Sequence, residues 1–382
     1  MGVRHGLAGA YRVATVEQAA ESVVALHATD SPSVFLSTHA RTEALIPEMV
    51  RVALEEERTL VRQTCMRTTL FAVPRDLMPA VLGSAAARSA GPLERRLRKA
   101  LDADPRIEDT DEWVTTTCAL LVDVLSEAGP LTSGQLRQRL PALDVRIDVA
   151  PGTKWGRPLP ASQYVLGWLS ANGTLVRAHN DGPWHSARPT YAASADWLGG
   201  DAAPLPSDEG YAEVTRQWLR RFGPGTLDDL VWWLGSTKTA ARHALEHIGA
   251  VEVLLDGGQR AYVHADDLAP TPPVDEWAAL LPTLDPSTMG WRERGFYLDP
   301  SMRRLVFDSV GNASNTAWWN GQIVGTWGQA EDCTVKVVPF SALGPRALAA
   351  LDAEAVRLSE FLAGDRVPIT YNARHLAGEP LP

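Results

Sequence analysis

Residues 208–264 run helix, turn, helix, helix, hairpin, and no other feature of the chain limits its fold so tightly. Tyr211 to Phe222 carries helical periodicity, Gly223-Pro224-Gly225-Thr226 is a turn that ends in an N-cap, and Leu227 to Leu234 is a short apolar helix. After Gly235-Ser236-Thr237 comes a third helix from Lys238 to Ile248, stopped by Gly249. Two β-rich runs, Val251 to Leu255 and Arg260 to Val263, flank Asp256-Gly257-Gly258, a hairpin signal. Three helices followed by a hairpin make a winged helix.

The same order occurs earlier in the chain. A helix from Asp111 to Ala128, the turn Gly129-Pro130-Leu131-Thr132, a short helix to Leu140 and a helix from Ala161 to Ala171 precede a hairpin from Leu175 through Asp181-Gly182 to Tyr191. A Pro- and Gly-rich insert, Pro141 to Pro160, separates its second and third helices and is long enough to be a functional loop. At the N-terminus, Thr15-Val16-Glu17-Gln18 is a capping box that opens a helix expected to reach Ala28. Ser31-Pro32 starts a helix toward Arg41, Pro47 starts another toward Glu55, and Thr59 to Val73 alternates like a hairpin whose turn is not evident.

Beyond the linker Pro270-Thr271-Pro272-Pro273 the texture changes to short strands, Gly turns and five tryptophans beginning with Trp277, closed by a helix from Pro345 to Ala363. The tryptophans read as core fillers. The expected fold is α+β: three tandem winged helix-turn-helix units and a C-terminal β-rich, barrel-like domain. The expected boundaries are 1–105 (with basic helices), 106–205, 206–270 and 271–382.

Hydrophobic residues make up 45% and charged residues 21% of the chain, as in an ordinary folded protein. No long apolar run suggests export or membrane spanning, so a cytoplasmic monomer is expected. Cys65, Cys118 and Cys333 are odd in number and far apart, which predicts buried thiols and neither a disulfide framework nor a zinc site. His243 and His247, four apart on a helix, lack the glutamate of a zinc-protease motif and read as surface, so no metal or other cofactor is expected.

The net charge of −10 opposes phosphate binding, but unevenly. Residues 1–105 hold 13 Lys and Arg against 12 Asp and Glu, whereas 106–264 hold 14 against 19 and 265–382 hold 9 against 15. Arg88, Arg95, Arg96, Arg98 and Lys99 form the densest basic cluster. The third helices are poor base readers: Ala161 to Ala171 has no Lys or Arg, and Lys238 to Ile248 sets Lys238 and Arg242 against Glu246. In the first helix Val16, Ala20, Val23, Val24 and His27 fall in phase, which places His27 at the inner edge of its C-terminus, while Thr29, Asp30 and Ser31 look like capping residues.

Leu26-His27-Ala28-Thr29-Asp30, with Val34-Phe35-Leu36-Ser37 and Ala40-Arg41, resembles the opening motif of the AlkZ and YcaQ group of bacterial winged-helix DNA glycosylases. Met66-Arg67-Thr68-Thr69-Leu70-Phe71-Ala72-Val73-Pro74 is similar to that family's first wing, usually MRGTLHLV. Leu280 to Pro286, Met289-Gly290-Trp291, Asp308, Gly311-Asn312 and Trp319 to Trp327 resemble its C-terminal signature.

The resemblance implies hydrolysis of the N-glycosidic bond of N7- or N3-alkylated purines in double-stranded DNA, including genotoxin adducts. It places the family's Gln-x-Gln or Gln-x-Asp motif at His27 and Thr29, so both residues are replaced, and Phe71 stands for the wing histidine. His27 is expected to accept a proton from water, Thr29 to orient that water, and Asp30 to stabilise a cationic sugar. Expected DNA contacts are Arg41, Arg62, Arg67, Lys154, Trp155 and Arg157, the last three joining charge to an aromatic in the insert. The alternative is a non-catalytic winged-helix DNA-binding protein or regulator.

Overall fold

The computed structural model describes residues 1–149, 157–200, 202–368 and 370–371. The first unit comprises α1 (Val16–Glu21), β1 (Leu26–His27), α2 (Ser31–Arg41), α3 (Pro47–Arg51) with a π turn Val52–Glu56, and the hairpin β2 (Leu60–Thr64) and β3 (Leu70–Pro74). Helices α4 (Met78–Val81) and α5 (Ala87–Asp102) follow. In the second unit come α6 (Thr110–Ala128), β4 (Leu131–Thr132), α7 (Ser133–Arg139), a small hairpin of β5 (Arg146–Val149) and β6 (Arg157–Pro160), and α8 (Ser162–Ala171). Strands β7 (Leu175–Asn180) and β8 (Pro189–Ala193) and helix α9 (Ser194–Leu198) complete it.

The third unit is α10 (Ser207–Phe222), α11 (Leu227–Leu234), α12 (Lys238–His247) and the hairpin β9 (Val251–Leu254) and β10 (Arg260–Val263). Its turn contains Gly225 because a Cβ there would collide with the buried Trp218 ring at 2.2 Å. The C-terminal region holds β11 (Ala278–Leu281), α13 (Pro286–Met289), α14 (Arg303–Val306), β12 (Thr316–Trp319), β13 (Gln322–Gln329), β14 (Val335–Pro339) and α15 (Pro345–Leu362). Among the described residues no helix is long and apolar enough to cross a membrane.

Three expectations are corrected. The opening helix ends at Glu21, not Ala28: the Ser22 hydroxyl donates to the Ala19 carbonyl, Val24 takes a left-handed φ of 68°, and Leu26–His27 is extended, paired with β3. A β-branched Val23-Val24 pair resists continuing a helix, and the left-handed residue reverses the chain. The C-terminal sheet is open, in the order β11-β12-β13-β14, rather than barrel-like. Four strands are too few to close, and the sheet is covered instead by the apolar side of α15, including Leu351, Leu358 and Leu362. Of the three thiols only Cys65 is fully buried; Cys118 and Cys333 are half-buried.

The hairpins of the first two units merge into one six-stranded sheet, β1-β3-β2-β7-β8-β4, joined where Arg62 of β2 faces Arg177 of β7. One core gathers the first and third units and the C-terminal region. A second core lies under α6 and α8 and takes in Leu97, Ala100 and Leu101 of α5, so α5 packs with the residues that follow it.

The turn that the sequence hides in the first hairpin is Cys65 to Thr69, with Arg67 at φ 55° and Thr68 at φ 59°. A β-branched residue in this region is strained by about 1–3 kcal/mol. Thr68→Gly is therefore expected to raise stability by about 1 kcal/mol after the backbone entropy of glycine is subtracted, measurable by denaturant melts; a loss of stability would show that Thr68 is unstrained.

Candidate active cleft

The chain reversal at Val24 lays β1 along β3, with His27 opposite Phe71. The imidazole packs on the Phe71 ring at 4.7 Å and is 2% exposed. Burial, helped by the Arg67 guanidinium, pushes its pKa down to about 3. Its Nδ1 accepts the Thr29 backbone N–H at 3.4 Å, which leaves the single proton of the neutral ring on Nε2. A ring of this kind can donate from Nε2 but is a weak base at neutral pH, so the geometry does not support the proton-accepting role expected of His27.

Thr29, two residues on, is exposed and lines a cleft. Its Oγ1 accepts the Leu70 N–H at 3.2 Å, leaving the hydroxyl hydrogen available to another acceptor. Asp30 is buried and borders a different, smaller cavity with Thr283, Asn315 and Trp327. Ser33 donates to its carboxylate at 2.8 Å and Thr370 also donates to it, while burial holds its pKa above the usual carboxylate range. Asp30 thus braces α2 against the C-terminal region rather than facing the cleft.

The cleft lies between α2, the π turn after α3, and the joined hairpins. Arg177 and His179 line it together because they alternate along β7 with the buried Val176 and Ala178. The Arg62 side chain is largely enclosed and donates to the Ala178 carbonyl at 2.7 Å and to Glu55 at 3.4 Å. Arg51 lines the rim but already pairs with Glu48 and Glu56. Arg177 has no hydrogen-bond or ion-pair partner among the described residues, so it is the least compensated of the three guanidinium groups. Trp184, in the β7–β8 loop, closes one end: its ring lies 5.0 Å from Phe35, and its indole N–H donates to Asp365 at 3.0 Å.

The cleft is largely cationic, lined by three arginines and one glutamate. The model of the AlkZ-like DNA glycosylases matches residues 20–361. The chain belongs to the AlkZ-like DNA glycosylase family. Its structure is similar to that of the Streptomyces sahachiroi DNA glycosylase AlkZ, with 22% sequence identity, 96% of each chain covered and a TM-score of 0.73. No curated protein matches it in sequence.

Within this AlkZ-like chain, two arginines expected on DNA are engaged elsewhere. Arg41 is wholly buried and donates through Nη1 and Nη2 to both carboxylate oxygens of Asp285 at 2.8 Å, so it offers nothing to a phosphate. Arg67 lies over the Trp232 ring at 4.0 Å, and burial lowers its pKa to about 10. Arg62 does reach the cleft, as a partner of Glu55. Lys154, Trp155 and the side chain of Arg157 lie outside the described residues. In the basic cluster Arg98 pairs with Glu94 and Asp111, and Arg88 donates to the Gly235 carbonyl at 2.6 Å.

Glu55, Arg177, His179 and Trp184 were not singled out from the sequence. The alternation of Arg177 and His179 with Val176 and Ala178 was a readable signal for two of them. Glu55 carried none, because a carboxylate at the end of a helix ordinarily marks a solvated surface. Arg177→Ala is expected to weaken duplex binding and to reduce the slope of log affinity against log salt by about 1, as loss of one phosphate contact does. An unchanged slope in a binding titration would remove Arg177 from the interface.

Proposed function

We propose that this protein hydrolyses the N-glycosidic bond of N7- or N3-alkylated purines in duplex DNA, with the cleft at Thr29 as the place of reaction. The observation that carries the reading is that the family's motif position, Thr29, opens into a cleft walled by Arg62, Arg177 and His179. Guanidinium groups suit the phosphates that flank a lesion. An alkylated purine of this type is already positively charged, so its departure needs no protonation; the protein has to hold the nucleotide, admit one water and steady a cationic sugar. Thr29, hydroxyl free to donate, can orient that water.

In the same reading the three helical units are winged helices bounded near residues 105, 205 and 270, and the protein works as a cytoplasmic monomer. Removal of bulky genotoxin adducts is compatible with a cleft that opens to solvent. A second reading, a DNA-binding protein without catalysis, is favoured by one observation: His27 is enclosed and stays neutral far below physiological pH. Methylated duplex DNA separates the two. Chromatographic detection of free N7-methylguanine or N3-methyladenine above the spontaneous level supports the enzyme, whereas tight, salt-sensitive retention of DNA with no base released supports the binder.

A further inference from the structure

Glu55 is the one carboxylate among the described residues that line the cleft, and it shares that lining with Thr29. It sits in the π turn Val52–Glu56 that ends α3, a local widening of the helix that recurs at functional sites. Its two oxygens have different surroundings. Oε1 accepts the Asn180 backbone N–H at 3.2 Å and an Arg62 N–H at 3.4 Å, which fix the carboxylate's direction. Among the described residues Oε2 accepts no hydrogen bond, and the Arg51 guanidinium lies 3.8 Å from it. The side chain is 10% exposed and lines the cleft.

We infer that Glu55 is the catalytic carboxylate of the glycosylase reaction, held by Oε1 and acting through Oε2. This rests on the function proposed above and supplies what His27 and Thr29 lack, an anionic proton acceptor. In the step it serves, the C1′–N9 bond of the alkylated purine breaks with its electron pair going to the base, which leaves neutral. A water oxygen forms the new bond to C1′, and its proton passes to Oε2. Before that transfer the carboxylate's charge also stabilises the cationic sugar. Arg62 and Asn180 act as positioning residues by holding Oε1.

The test is single-turnover excision from an N7-methylguanine duplex by wild type, Glu55→Gln and Glu55→Asp, with duplex affinity and melting temperature measured on each. Glutamine retains an oxygen for Asn180 and Arg62 but cannot take a proton. The expected result is a fall of roughly 10²-fold or more in rate for Glu55→Gln, with duplex affinity within about threefold of wild type. Glu55→Asp, which keeps a carboxylate that can take the proton, should retain clearly more rate than Glu55→Gln. A Glu55→Gln protein that excises at the wild-type rate, or a Glu55→Asp protein no faster than Glu55→Gln, overturns the inference while leaving the glycosylase reading intact. Wild type that frees no base overturns both.

Discussion

Replacing Arg41 with alanine lowers the melting temperature by roughly 5 °C and leaves duplex affinity unchanged when binding is measured below the variant's transition. Arg41 and Asp285 are both fully enclosed and joined by two bonds of 2.8 Å. Ser37 donates to the same carboxylate at 2.7 Å, the Ser287 N–H donates to it at 2.8 Å, and Arg41 reaches Ser287 Oγ at 2.7 Å. The cluster locks α2 to the start of α13, and so ties the opening motif to the C-terminal signature. Removing one partner leaves a buried charge without its counterion, which costs about 3–5 kcal/mol. Adding Asp285→Ala to the Arg41 variant should cost far less than the two single losses together, because the second change removes the orphaned charge. A melting temperature within about 2 °C of wild type, or a duplex affinity that falls with Arg41, would contradict this assignment.

The second large effect is acid destabilisation. Three histidines are held neutral in the fold: His5 is pushed well below its ordinary value by burial, His27 to about 3 and His39 to about 2. His5 lies between Ser287 Oγ at 2.8 Å and the Arg221 carbonyl at 3.0 Å, and His39 stacks on Phe361 at 4.4 Å with Arg357 and Arg12 close by. All three folded values lie below the unfolded value near 6.5, so the unfolded chain binds the extra protons. Their stabilisation is complete above about pH 6.5 and is lost as pH falls from there toward 3. At pH 5 His27 and His39 each contribute a loss of about 2 kcal/mol, and His5 adds to it in the same direction. Asp30 acts in the opposite sense, because its folded value is raised. Denaturant melts from neutral pH to pH 5 at constant ionic strength should show a steep decline, and His39→Phe should make it shallower by about 2 kcal/mol. A flat profile across that range would mean that these imidazoles titrate in the folded protein.

Local order was legible wherever punctuation and periodicity agreed. Leu227–Leu234 and the α12 hairpin follow directly from Thr226, Gly235 and the Asp256-Gly257-Gly258 turn. The end of the first helix is not legible in the sequence, because Val16, Ala20, Val23 and Val24 keep helical phase even though the helix stops at Glu21; all four side chains are buried in the core. Arg41 looked like a phosphate ligand because no local pattern reveals a counterion 244 residues away. The cleft was similarly hidden. Its wall exists only because β2 pairs with β7, a junction between two hairpins that sequence pattern treats as separate. Glu55 becomes part of a site through that junction, where Arg62 and the Asn180 N–H converge on it.

In the proposed reaction a bond to an already charged base is broken at the cleft beside Thr29. It is tested most directly by the single-turnover rate of abasic-site formation at one N7-methylguanine in a duplex, protein in excess, set against the spontaneous rate of the same duplex. An enhancement of roughly 10²-fold or more is expected. A rate equal to the spontaneous one, with the duplex fully bound, would contradict it.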